Sequence, residues 1–102
     1  MRRGELWLAE VGRKRRPVLL LTRSEVLDAR SLVTVAEITT SIRGLVAEVD
    51  VDHVETGLDR PSVINCDGLH TVAQESLTGP IGQVGDDTMR KVCAAISYAL
   101  GC

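Results

Sequence analysis

The sequence predicts a mainly β chain with helical additions, α+β by content: a small, strongly bent barrel of six or seven short strands closed by one C-terminal α-helix. Leu45, Ala47, Val49 and Val51 alternate with Glu48 and Asp50, the period-two pattern of a half-exposed strand. Short apolar runs recur along the chain between Gly, Pro and polar clusters, too short for helices and too evenly spaced for a parallel α/β sheet. Only the last stretch has helical spacing, with Met89, Val92, Cys93, Ile96 and Leu100 on one face and Arg90 and Lys91 turned away.

The elements follow in order. Glu5–Val11 is a first strand that stops at Gly12 and a basic block, and Pro17–Thr22 is a second, with Pro acceptable as its first residue. These two form a hairpin. Ser24–Arg30 is polar enough for a helical turn, and Leu32–Ile38 is a third strand, with Val33 and Val35 alternating against Thr34 and Ala36. Thr39–Gly44 breaks the pattern before the strand Leu45–Val51, and Asp52–Pro61 is a polar loop. Ser62–Cys66 and Leu69–Val72 are two strands around Asp67-Gly68, a strong hairpin-turn dipeptide. Gln74–Leu77 makes a helical turn and Ile81–Val84 a last strand. Asp86 or Asp87 N-caps the terminal helix, which runs to Leu100 with Gly101 just past its end.

The 102 residues read as one domain spanning 1–102. With no Phe, one Trp (Trp7) and one Tyr (Tyr98), aliphatic side chains must supply nearly all the buried area, so a partner subunit is expected to add stability. The longest apolar run, Pro17–Leu21, is far below the roughly 20 residues of a membrane span, and Met1–Glu5 does not lead into a secretory apolar core. A cytoplasmic protein without membrane contact is expected. Cys66, Cys93 and Cys102 have neither disulfide-framework nor metal-site spacing and read as buried or terminal free thiols.

Charge is more informative by position than in total. The net charge is −2, yet residues 1–30 carry +4 and residues 31–102 carry −6. The block Arg13-Lys14-Arg15-Arg16 is a local positive patch able to hold phosphate. His53 and His70 stand in no metal-ligand spacing, and no Gly-rich phosphate cradle or GxSxG elbow is present, so neither a metal nor a cofactor is expected. The polar residues instead gather at strand ends: the basic block before strand two, Thr39–Ser41 after strand three, and Asn65, Asp67 and His70 around the Asp67-Gly68 turn. If the hairpins lie side by side, Arg16 and Thr39 converge at one rim. Arg suits phosphate because its planar fork donates two parallel hydrogen bonds and stays charged.

Arg2-Arg3-Gly4-Glu5-Leu6-Trp7 opening a strand, Arg16-Pro17-Val18-Leu19-Leu20-Leu21, Ala36-Glu37-Ile38-Thr39-Thr40, Pro61-Ser62-Val63-Ile64-Asn65 and Ile81-Gly82-Gln83-Val84 before a terminal helix together resemble the MazF/PemK family of toxin endoribonucleases, over essentially the whole chain and in order. The resemblance implies an SH3-like barrel, a homodimer, cleavage of single-stranded RNA without a metal, and a cognate antitoxin whose acidic, disordered tail fills the RNA groove. It places the catalytic Arg on Arg16 and the catalytic Thr on Thr39. It also makes Arg13, Lys14, Arg15, Thr40, Ser41, Ser62, Asn65, Asp67 and His70 the candidate RNA-binding residues. One departure is the short Gly12-Arg13-Lys14-Arg15 connection, where many members carry a longer loop.

Such cleavage needs no protein nucleophile, because the RNA's own 2′-hydroxyl attacks the adjacent phosphorus. The protein supplies position, proton transfer and stabilisation of added negative charge. His70 is a candidate proton carrier or base contact, whereas His53, among Asp52 and Glu55, reads as plain surface. Two other readings stay open: a gyrase poison resembling CcdB on the same barrel, and a barrel that binds RNA or a peptide without catalysis.

Overall fold

A computed structural model describes residues 1–102. Six strands, β1 (Glu5–Val11), β2 (Lys14–Leu20), β3 (Leu32–Thr39), β4 (Glu48–Val51), β5 (Ser62–Ala73) and β6 (Thr78–Gln83), are joined by a short helix α1 (His53–Thr56) and followed by α2 (Asp86–Leu100). The strands form one antiparallel sheet in the order β4-β5-β3-β2-β1-β6, which curls into a half-barrel with β4 and β6 as edges. Short 3₁₀ turns at Ser24–Ala29 and Gln74–Ser76 occupy the two places where helical turns are expected.

Both sheet faces are packed, and strand alternation divides the apolar residues between them. One face holds Leu6, Leu19, Ile38, Val49 and Ile64, covered by Val92 and Ala95 of α2. The opposite face holds Ala9, Val11, Val18, Leu20, Val33 and Val35, closed by Leu27 and Leu77 with Trp7 alongside. The buried side chains are indeed almost all aliphatic, and Tyr98 lies outside at 65% exposure.

Several sequence expectations are corrected. The Asp67-Gly68 hairpin does not form: β5 is a single strand, and both of its halves pair with β3, Val63–Asn65 against Glu37–Thr39 and Leu69–Ala73 against Leu32–Ala36. Cys66, Asp67 and Gly68 are three extra residues bulged out where Ala36 and Glu37 follow one another on β3. Continuous pairing with the long β3 outweighs the local turn preference. Strand four begins at Glu48, leaving Leu45 exposed, because the Glu48 carboxylate folds the preceding residues into a turn by accepting from the backbone N–H groups of Arg43 and Leu45 at 3.0 and 3.2 Å.

Strand two starts three residues earlier, so the basic block is in a strand and not a loop. Pro17 is tolerated inside it because the β2–β3 ladder begins only at Val18 opposite Glu37. At α2 the N-cap is Gly85, and Asp86 and Asp87 occupy the first turn, favoured there by the helix dipole. The buried stripe of α2 is centred on Val92 and Ala95, with Met89, Ile96 and Ala99 beside them, so Cys93 and Leu100 face outward. The Asp52–Pro61 loop contains α1, capped by the Asp52 carboxylate, which accepts from the Val54 and Glu55 N–H groups.

Candidate RNA-cleaving site

The β2–β3 ladder ends at Val18 opposite Glu37. Continuing that register two residues brings Arg16 and Thr39 to facing positions, where the strands part at the rim. Both side chains belong to the sheet face that carries Val18 and Val35, since residues two apart on a strand share a face. Arg16 is half-buried, its guanidinium enters no hydrogen bond or ion pair within the chain, and its Nε is buried without a partner. Such a donor is completed by water, an ion or a ligand. Thr39 Oγ1 accepts from the Ser41 backbone N–H at 3.1 Å. That contact orients the hydroxyl and leaves its own proton free to donate. A planar guanidinium and a hydroxyl donor stand at these adjacent strand ends, a pair with the chemistry of a phosphate clamp.

Register also sorts the other candidates. Lys14 shares the Arg16 face and is exposed, while Arg13 sits in the exposed turn before it. Arg15 is turned to the opposite side, paired across from Glu10, and its Nη2 donates to Thr78 Oγ1 at 2.7 Å. Thr40 and Ser62 also face away from the clamp. They line a cleft of about 240 Å³ with Pro17, Leu58 and Arg60, and the buried Ser62 hydroxyl donates to the Arg60 carbonyl at 3.0 Å. The clamp face therefore lacks Arg15, Thr40 and Ser62. Ser41 is exposed beyond the end of β3.

Asn65 lies directly across from Glu37, and His70 across from Val35, so both join the clamp face. The bulge carries Asp67 outward as an exposed tip, and the Asp67 N–H donates to Asn65 Oδ1 at 3.1 Å. Sequence reasoning did not single out Glu37, which shares this face. Its Oε1 lies 3.3 Å from His70 Nε2, with the two side chains 21% and 38% exposed. The signal was present: Glu37 continues the buried stripe Val33, Val35, where an apolar residue would otherwise stand. His53 is in α1, away from this group.

Two titrating groups are perturbed elsewhere. Burial alone would raise the Glu48 carboxyl, but the N–H groups of Arg43, Leu45 and Gly44 and the Arg43 guanidinium outweigh it and hold the group below its ordinary value. Burial pushes the Cys66 thiol up to about 11, with smaller contributions from Asp67 and Cys93. Cys66 is therefore an inert core thiol, and Cys93 and Cys102 are exposed and free.

Residues 2–100 match the model of the PemK-like, MazF-like toxins of type II toxin–antitoxin systems. The chain belongs to this family. It is 35% identical over 102 residues to a protein of Mycobacterium tuberculosis named "Probable endoribonuclease MazF2", with all of both chains covered. The solved structure of the M. tuberculosis toxin MazF-mt6 superposes with a TM-score of 0.89 at 39% identity, covering 95% of this chain and 96% of that one. An endoribonuclease from a mycobacterial species, solved in complex with its cognate antitoxin, shares the fold with a TM-score of 0.88 at 23% identity, covering 99% of this chain and 95% of that one. The MazF-like fold accounts for the half-barrel and terminal helix, and the Arg16–Thr39 clamp lies on the MazF-like frame at the rim between β2 and β3.

Proposed function

We propose that this chain is the toxin of a type II toxin–antitoxin pair and cuts single-stranded RNA at short sequence motifs by internal transesterification. The observation that carries this reading is the unpartnered, half-buried Arg16 facing Thr39 at the rim. The 2′-oxygen forms a bond to phosphorus as the bond from phosphorus to the 5′-oxygen breaks. The 2′-hydroxyl loses its proton and the departing 5′-oxygen gains one. The products are a 2′,3′-cyclic phosphate and a 5′-hydroxyl end. Arg16 takes the non-bridging oxygens with its fork, and Thr39 donates a third hydrogen bond that fixes the phosphate for in-line attack. One such donor is commonly worth about 10²–10³ in rate. Since the RNA carries its own nucleophile, the reaction requires no metal or cofactor.

Arg13 and Lys14 extend the positive surface along the backbone of the RNA, and an acidic, disordered antitoxin tail competes for the same charge. This reading places the toxin in the cytoplasm with its RNA.

A homodimer fits the exposed apolar surface. β4 is an unpaired edge, and Val46 and Tyr98, 67% and 65% exposed, border a groove of about 380 Å³ with Val49, Ala94 and Ala95 between β4 and α2. A second copy covering this groove supplies the burial that a core without Phe lacks.

The test is cleavage of a mixed-sequence RNA in the presence of EDTA, together with growth arrest on induction. Arg16→Ala and Thr39→Ala are expected to abolish both while the circular dichroism spectrum stays native. Native-like toxicity in the double variant would refute the assignment. Gyrase trapping without ribonuclease activity would support the CcdB-like reading in its place.

A further inference from the structure

We propose that Glu37 is a specificity-determining residue that reads the Watson–Crick edge of a guanine beside the scissile phosphate, with Asn65 completing the contact. The inference rests on the ribonuclease reading above. It begins from an anomaly: a carboxylate on the face that must bind polyanionic RNA repels phosphate, so its presence calls for a different group to approach it.

The carboxylate is bordered on two sides. Oε1 lies 3.3 Å from His70 Nε2, at ion-pair distance but without hydrogen-bond geometry. Oε2 lies over the bulge, where a side chain at Gly68 would bring its first carbon within 2.6 Å of Oε2 and 3.0 Å of Asn65 Nδ2. Gly68 thus keeps open the space in which Glu37 and Asn65 meet. The titratable or charged groups around this point are His70 and Asp67 on β5, Glu48 across from Asn65 on β4, and Arg16 on β2.

Position favours base reading over proton transfer. Glu37 is two residues from Thr39 on one strand, about 6.5–7 Å along β3, and His70 is displaced further still. A proton carrier must come within about 2.6–3.2 Å of the reacting oxygen, whereas a base hangs several ångströms from its phosphate, at the distance this pair occupies. Single-stranded RNA exposes its Watson–Crick edges to such contacts.

The polar pattern selects the base. An ionised carboxylate only accepts hydrogen bonds, through two oxygens with spare lone pairs. Asn65 Oδ1 is taken by the Asp67 N–H, so its Nδ2 is left to donate. The surface therefore offers two acceptors beside a donor. Guanine presents the complement, adjacent N1–H and N2–H donors beside the O6 acceptor, and no other base has two adjacent N–H donors on that edge.

The experiment compares RNAs that carry guanine or inosine at the guanine position nearest the cut, which is found by sequencing 5′-hydroxyl ends from a random pool. Inosine lacks only the 2-amino group. For the native chain, kcat/KM is expected to fall about 10- to 150-fold with inosine, the loss of one hydrogen bond to a charged acceptor. In Glu37→Gln the ratio between guanine and inosine should collapse towards one, because the amide has a single acceptor oxygen. Binding of the same two sequences as non-cleavable 2′-deoxy oligonucleotides, read by fluorescence anisotropy, should show the same ratios. An unchanged guanine-to-inosine ratio in Glu37→Gln, or a pool with no guanine near the cut, overturns the proposal and leaves the ribonuclease reading intact. A native chain that cuts no RNA overturns the ribonuclease reading and this proposal with it, an outcome distinct from cleavage with an unchanged ratio.

Discussion

Replacing Arg16 with Met separates function from stability. Arg16 is half-buried, its guanidinium makes no hydrogen bond or ion pair within the chain, and its Nε is buried without a partner. An unsatisfied buried donor commonly costs about 1–3 kcal/mol, while the aliphatic stem of Arg packs much as Met does. Arg16→Met is therefore expected to leave stability unchanged or raise it by about 1 kcal/mol, a shift of about 4–8 °C in Tm for a domain of this size. Turnover of the best RNA substrate should fall about 10²–10³-fold, since the lost donors act on charge that develops at phosphorus. Thermal unfolding followed by circular dichroism must be compared at equal protein concentration, because a dimer makes Tm concentration-dependent. Single-turnover cleavage gives the rate. Destabilisation by 1 kcal/mol or more would show that Arg16 is a structural residue, and retained activity would show that the clamp lies elsewhere.

Three further outcomes follow from packing and titration. Gly82 on β6 lies so close to the Thr56 carbonyl of α1 that no side chain fits, so Gly82→Ala should displace α1 and destabilise the chain by about 1–3 kcal/mol, as chemical denaturation would show; a neutral effect would contradict the close approach. The Cys66 thiol is raised from 9.0 to about 11, so the folded state keeps a proton that the unfolded state gives up. This contribution is fully present below pH 9 and is lost between pH 9 and about 11, by about 2–3 kcal/mol. Cys66→Ala should flatten that part of the stability–pH curve, whatever it does to the absolute stability. The Glu48 carboxyl works in the other direction: held low, it stabilises above its ordinary value of 4.5 and loses that contribution as pH falls through its depressed folded value.

Much of the fold could be read from residues that act locally. Glu5–Val11 has the bounds its alternation implies, and Gly101 ends α2 in the left-handed conformation that suits glycine. The misread elements are those decided by partners distant in sequence. Asp67-Gly68 has the chemistry of a hairpin turn, yet pairing with the eight-residue β3 on both sides turns it into a bulge. The start of strand four was lost to a side chain, since Glu48 draws the chain before it into a turn. The candidate site divides along the same line. Arg16 and Thr39 were legible from the chain order of strand ends, while which neighbours share their face depends on register, and one step of register removes Arg15, Thr40 and Ser62. Glu37 was visible only as a charge in a buried stripe, and its meaning required the bulge that sets Gly68 and His70 beside it.

The most direct test of the central claim is the chemistry of the RNA ends. Purified protein is incubated with a single-stranded RNA containing its cut site in EDTA, and the fragments are analysed by mass spectrometry. Cleavage by the RNA's own 2′-hydroxyl at the Arg16–Thr39 clamp predicts 2′,3′-cyclic phosphate and 5′-hydroxyl ends, lost in Arg16→Ala. Fragments with 5′-phosphate ends, or cleavage that appears only when a divalent cation is restored, would contradict it.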